Sequence, residues 1–137
     1  MRRTSILIGI CVIAAMALTL YAQSRDIQPV MKEVQPAFGT LGKNIQASNA
    51  ADAQKDAEKL QGLFKEAAAF MKDNKADKGV EWANAASDAA GAVAKAAKAN
   101  DMAAAGTARA DLQKSCATCH GTFREGTPGN FKFKAPQ

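Results

Sequence analysis

The sequence predicts an all-α fold, an up-down-up-down four-helix bundle behind a secretory signal peptide. Three observations carry this. Four successive stretches of roughly twenty residues place apolar side chains at alternating spacings of three and four, the mark of a helix with one buried face. Short polar punctuation at Asn49, Asn74 and Asn100–Asp101 separates them, leaving room only for tight helix–helix turns. The composition is 47% hydrophobic but only 6% aromatic, with alanine prominent, which suits close-packed helices better than a sheet. Strand signals are absent from this reading. At 137 residues the chain has the length of a single domain. The expected organisation is a leader over 1–22, a bundle domain over 23–125 and a C-terminal tail over 126–137.

The leader has the three parts of an export signal. Arg2 and Arg3 form its charged start, and Ile6–Leu20 is an apolar run of 15 residues, short for a membrane span. Cleavage is expected after Ala22, although Leu20 is not the small residue preferred three positions before the cut. An uncleaved N-terminal anchor is the alternative. Cys11 follows Ile10 rather than the small residues of a lipoprotein signal, so it reads as an apolar residue lost with the leader.

The first helix is expected from Asp26 to about Ser48. Ile27, Met31, Val34, Phe38, Leu41 and Ile45 form its stripe, with Asp26 as N-cap and Pro29 tolerated in the first turn. Pro36 removes a backbone donor in mid-helix and predicts a bend near Lys32 and Glu33. The second helix, Ala51 to Asp73, carries Ala53, Ala57, Leu60, Phe64, Ala67 and Met71, widened by Leu63 and Phe70. The third, Asp77 to Ala99, buries Val80, Trp82, Ala86, Ala89, Val93 and Ala96 or Ala97. The fourth, Met102 to Arg124, carries Ala105, Ala108, Leu112, Cys116, Cys119 and Phe123. Gly126, Pro128 and Gly129 terminate it, and the remaining tail is expected to be extended, packed over the bundle or frayed.

One motif in the fourth helix carries chemistry. Cys116-Ala-Thr-Cys119-His120 is the spacing of a c-type haem attachment site. Each thiol can add across one porphyrin vinyl group, and the histidine that follows is then held beneath the iron. His120 is the only histidine in the chain, so nothing competes for that role. Two other uses of such a pair are weaker. A redox dithiol expects a strand-rich setting, and a structural zinc site needs about four ligands, whereas only these three cluster in the sequence. One covalently bound haem c is therefore the expected cofactor.

With its leader, four helices and C-terminal haem motif, the mature chain resembles the class II c-type cytochromes, which comprise the cytochromes c′ and the cytochrome c-556 group. The most specific stretch is Cys116-Ala-Thr-Cys-His120-Gly-Thr-Phe123-Arg124, where an aromatic residue and an arginine follow the histidine as in that family. Trp82 in the third helix also fits. The resemblance implies that Cys116 and Cys119 bear the thioethers and that His120 is the proximal iron ligand. In the c-556 group a methionine near the start of the first helix is the second axial ligand, and the matching position here is Met31. In cytochromes c′ that position does not ligate and the iron is five-coordinate. The family often has an arginine near the haem propionates about four residues earlier, but this chain has Ile27 there and Arg25 displaced by two.

Bundle geometry bears on the distal ligand independently. In an up-down bundle the end of the fourth helix lies beside the start of the first, so His120 and Met31 can face one another. Met102 starts the fourth helix, about 27 Å along its axis from His120. Met71 ends the second helix at the same end of the bundle and stays open as a ligand. So does an iron with no distal ligand. Arg124 is read either as a propionate contact or as a cation in the last helical turn. Phe123 is core at the haem edge, and Trp82 is bundle filler or a ring stacked on the haem.

The expected function is one-electron transfer by a periplasmic cytochrome with a His/Met-ligated haem. The rivals are a five-coordinate, cytochrome c′-like protein that binds NO or CO, and a haem-free thiol or metal protein. No enzyme activity is expected, because nothing supplies a catalytic acid/base pair or nucleophile beside the haem. The formal net charge is +5, of which Arg2 and Arg3 contribute two, leaving +3. That is too small and dispersed for nucleic acid. Expected partners are periplasmic redox proteins, steered at most weakly by this charge, with no membrane contact after leader cleavage. The resemblance also implies a possible homodimer.

Overall fold

Asn49 and Asp101 show how the sequence sets the helix starts in the computed structural model, which describes residues 26–137. Each side chain accepts a backbone N–H three residues on, Asn49 from Asp52 at 3.4 Å and Asp101 from Ala104 at 2.9 Å, so each satisfies an orphan donor of a first turn. The helices are α1 (Gln28–Gln46), α2 (Ala50–Asp73), α3 (Asp77–Lys98) and α4 (Met102–Phe123). The expected leader over 1–22, its cleavage site and Cys11 lie outside the described residues.

All three helix–helix connections use one backbone device. Ser48, Lys75 and Asn100 take φ values of 56°, 56° and 58°, the left-handed conformation that ends a helix. The next amide then reaches back five residues: Asn49 to the Asn44 carbonyl at 2.8 Å, Ala76 to Met71 at 2.9 Å and Asp101 to Ala96 at 2.9 Å. Turns this short reverse the chain, so consecutive helices run antiparallel and pack along their lengths. The architecture is all-helical in its body and compatible with the expected four-helix bundle. None of the described helices is long and apolar enough to cross a membrane.

Three local expectations are corrected. Asp26 does not cap α1; Ile27 occupies the N-cap position without a side-chain cap, and Asp26 instead accepts the Gln28 N–H at 3.0 Å from one residue further out. Helix α4 stops at Phe123, because Arg124 already has extended backbone (φ −114°, ψ 131°). The tail is extended and packs over the bundle, as one of the expected outcomes had it, but the expected absence of strands is corrected. It forms an antiparallel hairpin of β1 (Arg124–Thr127) and β2 (Asn130–Phe133), with Arg124 opposite Phe133 and Thr127 opposite Asn130. Pro128 and Gly129 make the two-residue turn, and Gly129 has the positive φ (85°) that the third position of a type II turn demands. Pro36 is accommodated within a continuous α1, where both it and Lys32, whose carbonyl loses its partner, are solvent-exposed.

The buried stripe of α2 matches the expected face, but that of α3 is turned. Gly79, Ala83, Ala86, Ser87, Ala90, Val93, Ala94 and Ala97 are buried, because small residues pack α3 closely between its neighbours, while Val80, Trp82, Ala89 and Ala96 are only half-buried. Leu41, Leu60, Val93 and Leu112 are fully enclosed and fill one half of the bundle together with the small residues Ala53, Ala57, Ala90 and Ala105. At the other end a second cluster gathers Ile27, Ala67, Ala68, Phe70, Met71, Ala76, Ala83 and Phe123. Ser87, the buried polar residue, donates to the Gln61 carbonyl at 3.3 Å, so its hydroxyl is satisfied. Alanine packs α2, α3 and α4 closely, but its side chains are too small to fill the space between α1 and α4 near the second cluster.

Candidate functional site

Helix α4 is the least buried of the four. Only Ala105, Leu112 and Phe123 are buried on it, while Cys116, Cys119 and His120 are half-buried. All three line a cavity, and Cys116 and Cys119 also pack against the two core clusters. The cavity has a volume of about 780 Å³, within the roughly 300–1,000 Å³ typical of cofactor and ligand sites. Helix α1 supplies Ile27, Met31, Val34 and Phe38 to its wall, and α2 supplies Phe64, Ala67 and Met71. Trp82, Ala83 and Ala86 come from α3, and the hairpin contributes Phe131 and Phe133.

Helical geometry brings the motif to this wall. Cys116 and Cys119 are three apart and so lie on one face of α4, with His120 four from Cys116 on the same face. Both thiols are free. Burial pushes the Cys116 thiol up to about 11, with a smaller contribution from neighbouring Cys119. Burial also raises Cys119. The pair is thus held protonated at neutral pH, the reverse of the lowered values that make a dithiol a redox nucleophile. His120 is lowered, first by burial and then by the Arg124 charge, so the neutral imidazole is favoured. Among the described residues no group of three or more His, Cys, Asp or Glu side chains is placed to hold a metal ion.

Both methionines left open by the sequence reach the cavity. Met31 is half-buried on its α1 wall. Met71 is only 4% exposed, and its thioether packs so closely on Gly79 that an added Cβ there would lie 2.6 Å from the sulfur. Met71 is therefore wedged into the aromatic end cluster, whereas Met31 is half-buried on the cavity wall and packs against both core clusters. Met102 does not line the cavity and packs against the opposite core half. Trp82 lines the cavity and tilts against Phe123, ring centroids 5.7 Å apart.

Arg124 also lines the cavity, but it does not sit in the last helical turn, the second of the two expectations for it. It begins β1, and its guanidinium lies over the Phe131 ring, 4.2 Å from the centroid. Sequence reasoning missed the hairpin wall altogether. Phe133 packs edge-on to Phe70 at 4.9 Å and stacks on Phe123 at 6.0 Å. The Thr-Pro-Gly-Asn turn and the alternating Phe131 and Phe133 were the signals that could have found it.

The charges around the cavity are one-sided. Among the described residues, Lys32, Arg124 and Lys132 line it, and no Asp or Glu does. An apolar space with cations at its edge suits a flat apolar ligand bearing carboxylates. Two addition-competent thiols and an imidazole occupy one wall, and a thioether faces the same space. The chemistry of these residues fits a covalently held haem, for which Cys116 and Cys119 would bear the thioethers, His120 and Met31 would be available to the iron, and the cations suit the propionates. No protein-family model matches the chain, and no curated protein sequence matches it either.

Proposed function

We propose that the chain is an exported electron-transfer protein carrying one covalent haem c, a class II c-type cytochrome of the c-556 kind. The observation that carries this is the convergence of Cys116, Cys119, His120 and Met31, from the two ends of the chain, on one apolar cavity with a cationic edge. When bound, the haem supplies a one-electron Fe(III)/Fe(II) couple, and thioether ligation favours the reduced iron. The chain's own residues do the rest. Raised thiols keep Cys116 and Cys119 from premature oxidation. His120, lowered by burial, would offer its imidazole nitrogen to the iron, and Met31 would offer its thioether from the α1 wall of the same cavity. Phe38, Phe64, Trp82 and Phe123 exclude water, so the electrostatic surroundings change little between oxidation states. In this reading residues 1–22 direct export to the periplasm and are removed there. Partners are then periplasmic redox proteins, for which acidic surfaces complement Lys32 and Lys132.

Expression with periplasmic export tests the reading. The mature protein should retain one haem after denaturation and organic extraction, with an intact mass equal to the cleaved chain plus one haem. Cys116→Ala with Cys119→Ala should abolish retention. A colourless mature chain with two alkylatable thiols would instead make it a haem-free thiol protein.

A further inference from the structure

The hairpin touches both helices that flank the cavity, and those two helices meet directly further along, where the Arg109 guanidinium of α4 lies over the Phe38 ring of α1, 4.1 Å from its centroid. Helix α1 packs along α2, and its backbone makes few close approaches to α4. Its N-cap Ile27 supplies no side-chain hydrogen bond, and the turn is held by burial of Ile27 and by Asp26, which accepts the Gln28 N–H at 3.0 Å. The first bond of that turn is the Met31 N–H to the Ile27 carbonyl, 3.0 Å. The hairpin reaches this turn directly. The Gln28 side chain donates to the Phe131 carbonyl at 2.8 Å in a half-buried setting, a link between residues 103 positions apart. The other end of the hairpin is fixed to α4, where the Lys134 N–H donates to the Phe123 carbonyl at 2.8 Å.

We infer that the hairpin is a clasp that positions Met31. By tying Gln28 to the end of α4, it holds the first turn of α1, and with it the Met31 thioether, opposite His120. Gln28 is thus a positioning residue that acts through the backbone of its own turn. This inference deepens the proposed function and rests on it for the identity of the metal ligand, but the clasp itself is defined by the hydrogen bonds above.

Gly126 gives a clean way to open it. Its φ is 100°, and a Cβ there would collide with the Asn130 carbonyl oxygen across the hairpin. Gly126 does not line the cavity, so Gly126→Ala disrupts the hairpin without removing any cavity side chain. Gln28→Ala removes the latch while leaving the hairpin formed. In the holoprotein both variants should accelerate hydrogen exchange at the Met31 amide roughly tenfold and raise the affinity for added imidazole by the same factor (about 1.4 kcal/mol). Helix content should not change. If Gly126→Ala deprotects the Lys134 amide and Met31 still exchanges at the wild-type rate, the clasp inference is wrong. A chain ending at Glu125 removes the hairpin outright, and wild-type Met31 exchange there would overturn the inference equally. If Met31 exchange accelerates while imidazole binds wild type and variants alike, the clasp stands and His/Met ligation fails.

Discussion

Burial sets the chemistry of Cys116, Cys119 and His120, and it sets opposite pH dependences on the two residue types. A thiol raised in the fold stabilises it below the ordinary thiol pKa and loses that contribution as pH climbs to the folded value. For Cys116 the window runs from about 9 to about 11. Histidine is lowered, so the unfolded chain binds the proton first, and stability falls as pH drops below the ordinary value of 6.5. The chain expressed without haem should therefore be most stable between these limits, and urea midpoints across pH 5 to 11 measure it. A midpoint that rises above pH 9 would contradict the burial of the thiols. The motif was legible because its five residues are contiguous and its chemistry depends on identity and spacing alone. The setting of Arg124 was not, because it depends on Phe131, brought under the guanidinium by a turn between them.

The helices were legible at the scale of elements, with bounds within two residues, because apolar periodicity and polar punctuation agree at three of the four starts. Caps offer a graded test. Asp101 accepts the Ala104 N–H at 2.9 Å and Asn49 accepts the Asp52 N–H at 3.4 Å. Asp101→Ala should cost about 1 kcal/mol, toward the middle of the range for lost caps, and Asn49→Ala should cost less. Equal urea midpoint shifts for the two variants would contradict this ranking. Asp26 was misread because a cap residue three positions before Pro29 looks correct in sequence, yet Ile27 is the residue that stands at the boundary. The hairpin was misread because Gly126, Pro128 and Gly129 are equally good helix terminators and turn formers. Strands of four residues each carry too short an alternation to stand out. What makes the hairpin persist is tertiary: Phe133 sits between Phe70 and Phe123, and Lys134 caps the Phe123 carbonyl.

Across the whole molecule, one half of the bundle is closed by Leu41, Leu60 and Leu112, and the other half keeps a cavity. Sequence anticipated that Met31 and the Cys116–His120 motif share one end of the bundle, since antiparallel helices bring the end of the fourth beside the start of the first. It did not anticipate the size of the space, which follows from how far α1 stands from α4, nor the wall the hairpin adds. Those depend on packing among residues distant in sequence. The one-sided charge at the cavity edge was also invisible, because Lys32, Arg124 and Lys132 come from two separate stretches and are mixed with acidic neighbours along the chain. The central claim is that this cavity holds a haem between His120 and Met31. The most direct test is the absorption spectrum of the mature holoprotein, oxidised and reduced, with and without carbon monoxide. The account predicts a low-spin spectrum, an iron–thioether charge-transfer band in the oxidised state that Met31→Ala abolishes, and little response to carbon monoxide. A high-spin spectrum that converts readily with carbon monoxide, unchanged by Met31→Ala, would contradict it and leave Met31 as a core residue beside an open, gas-binding iron.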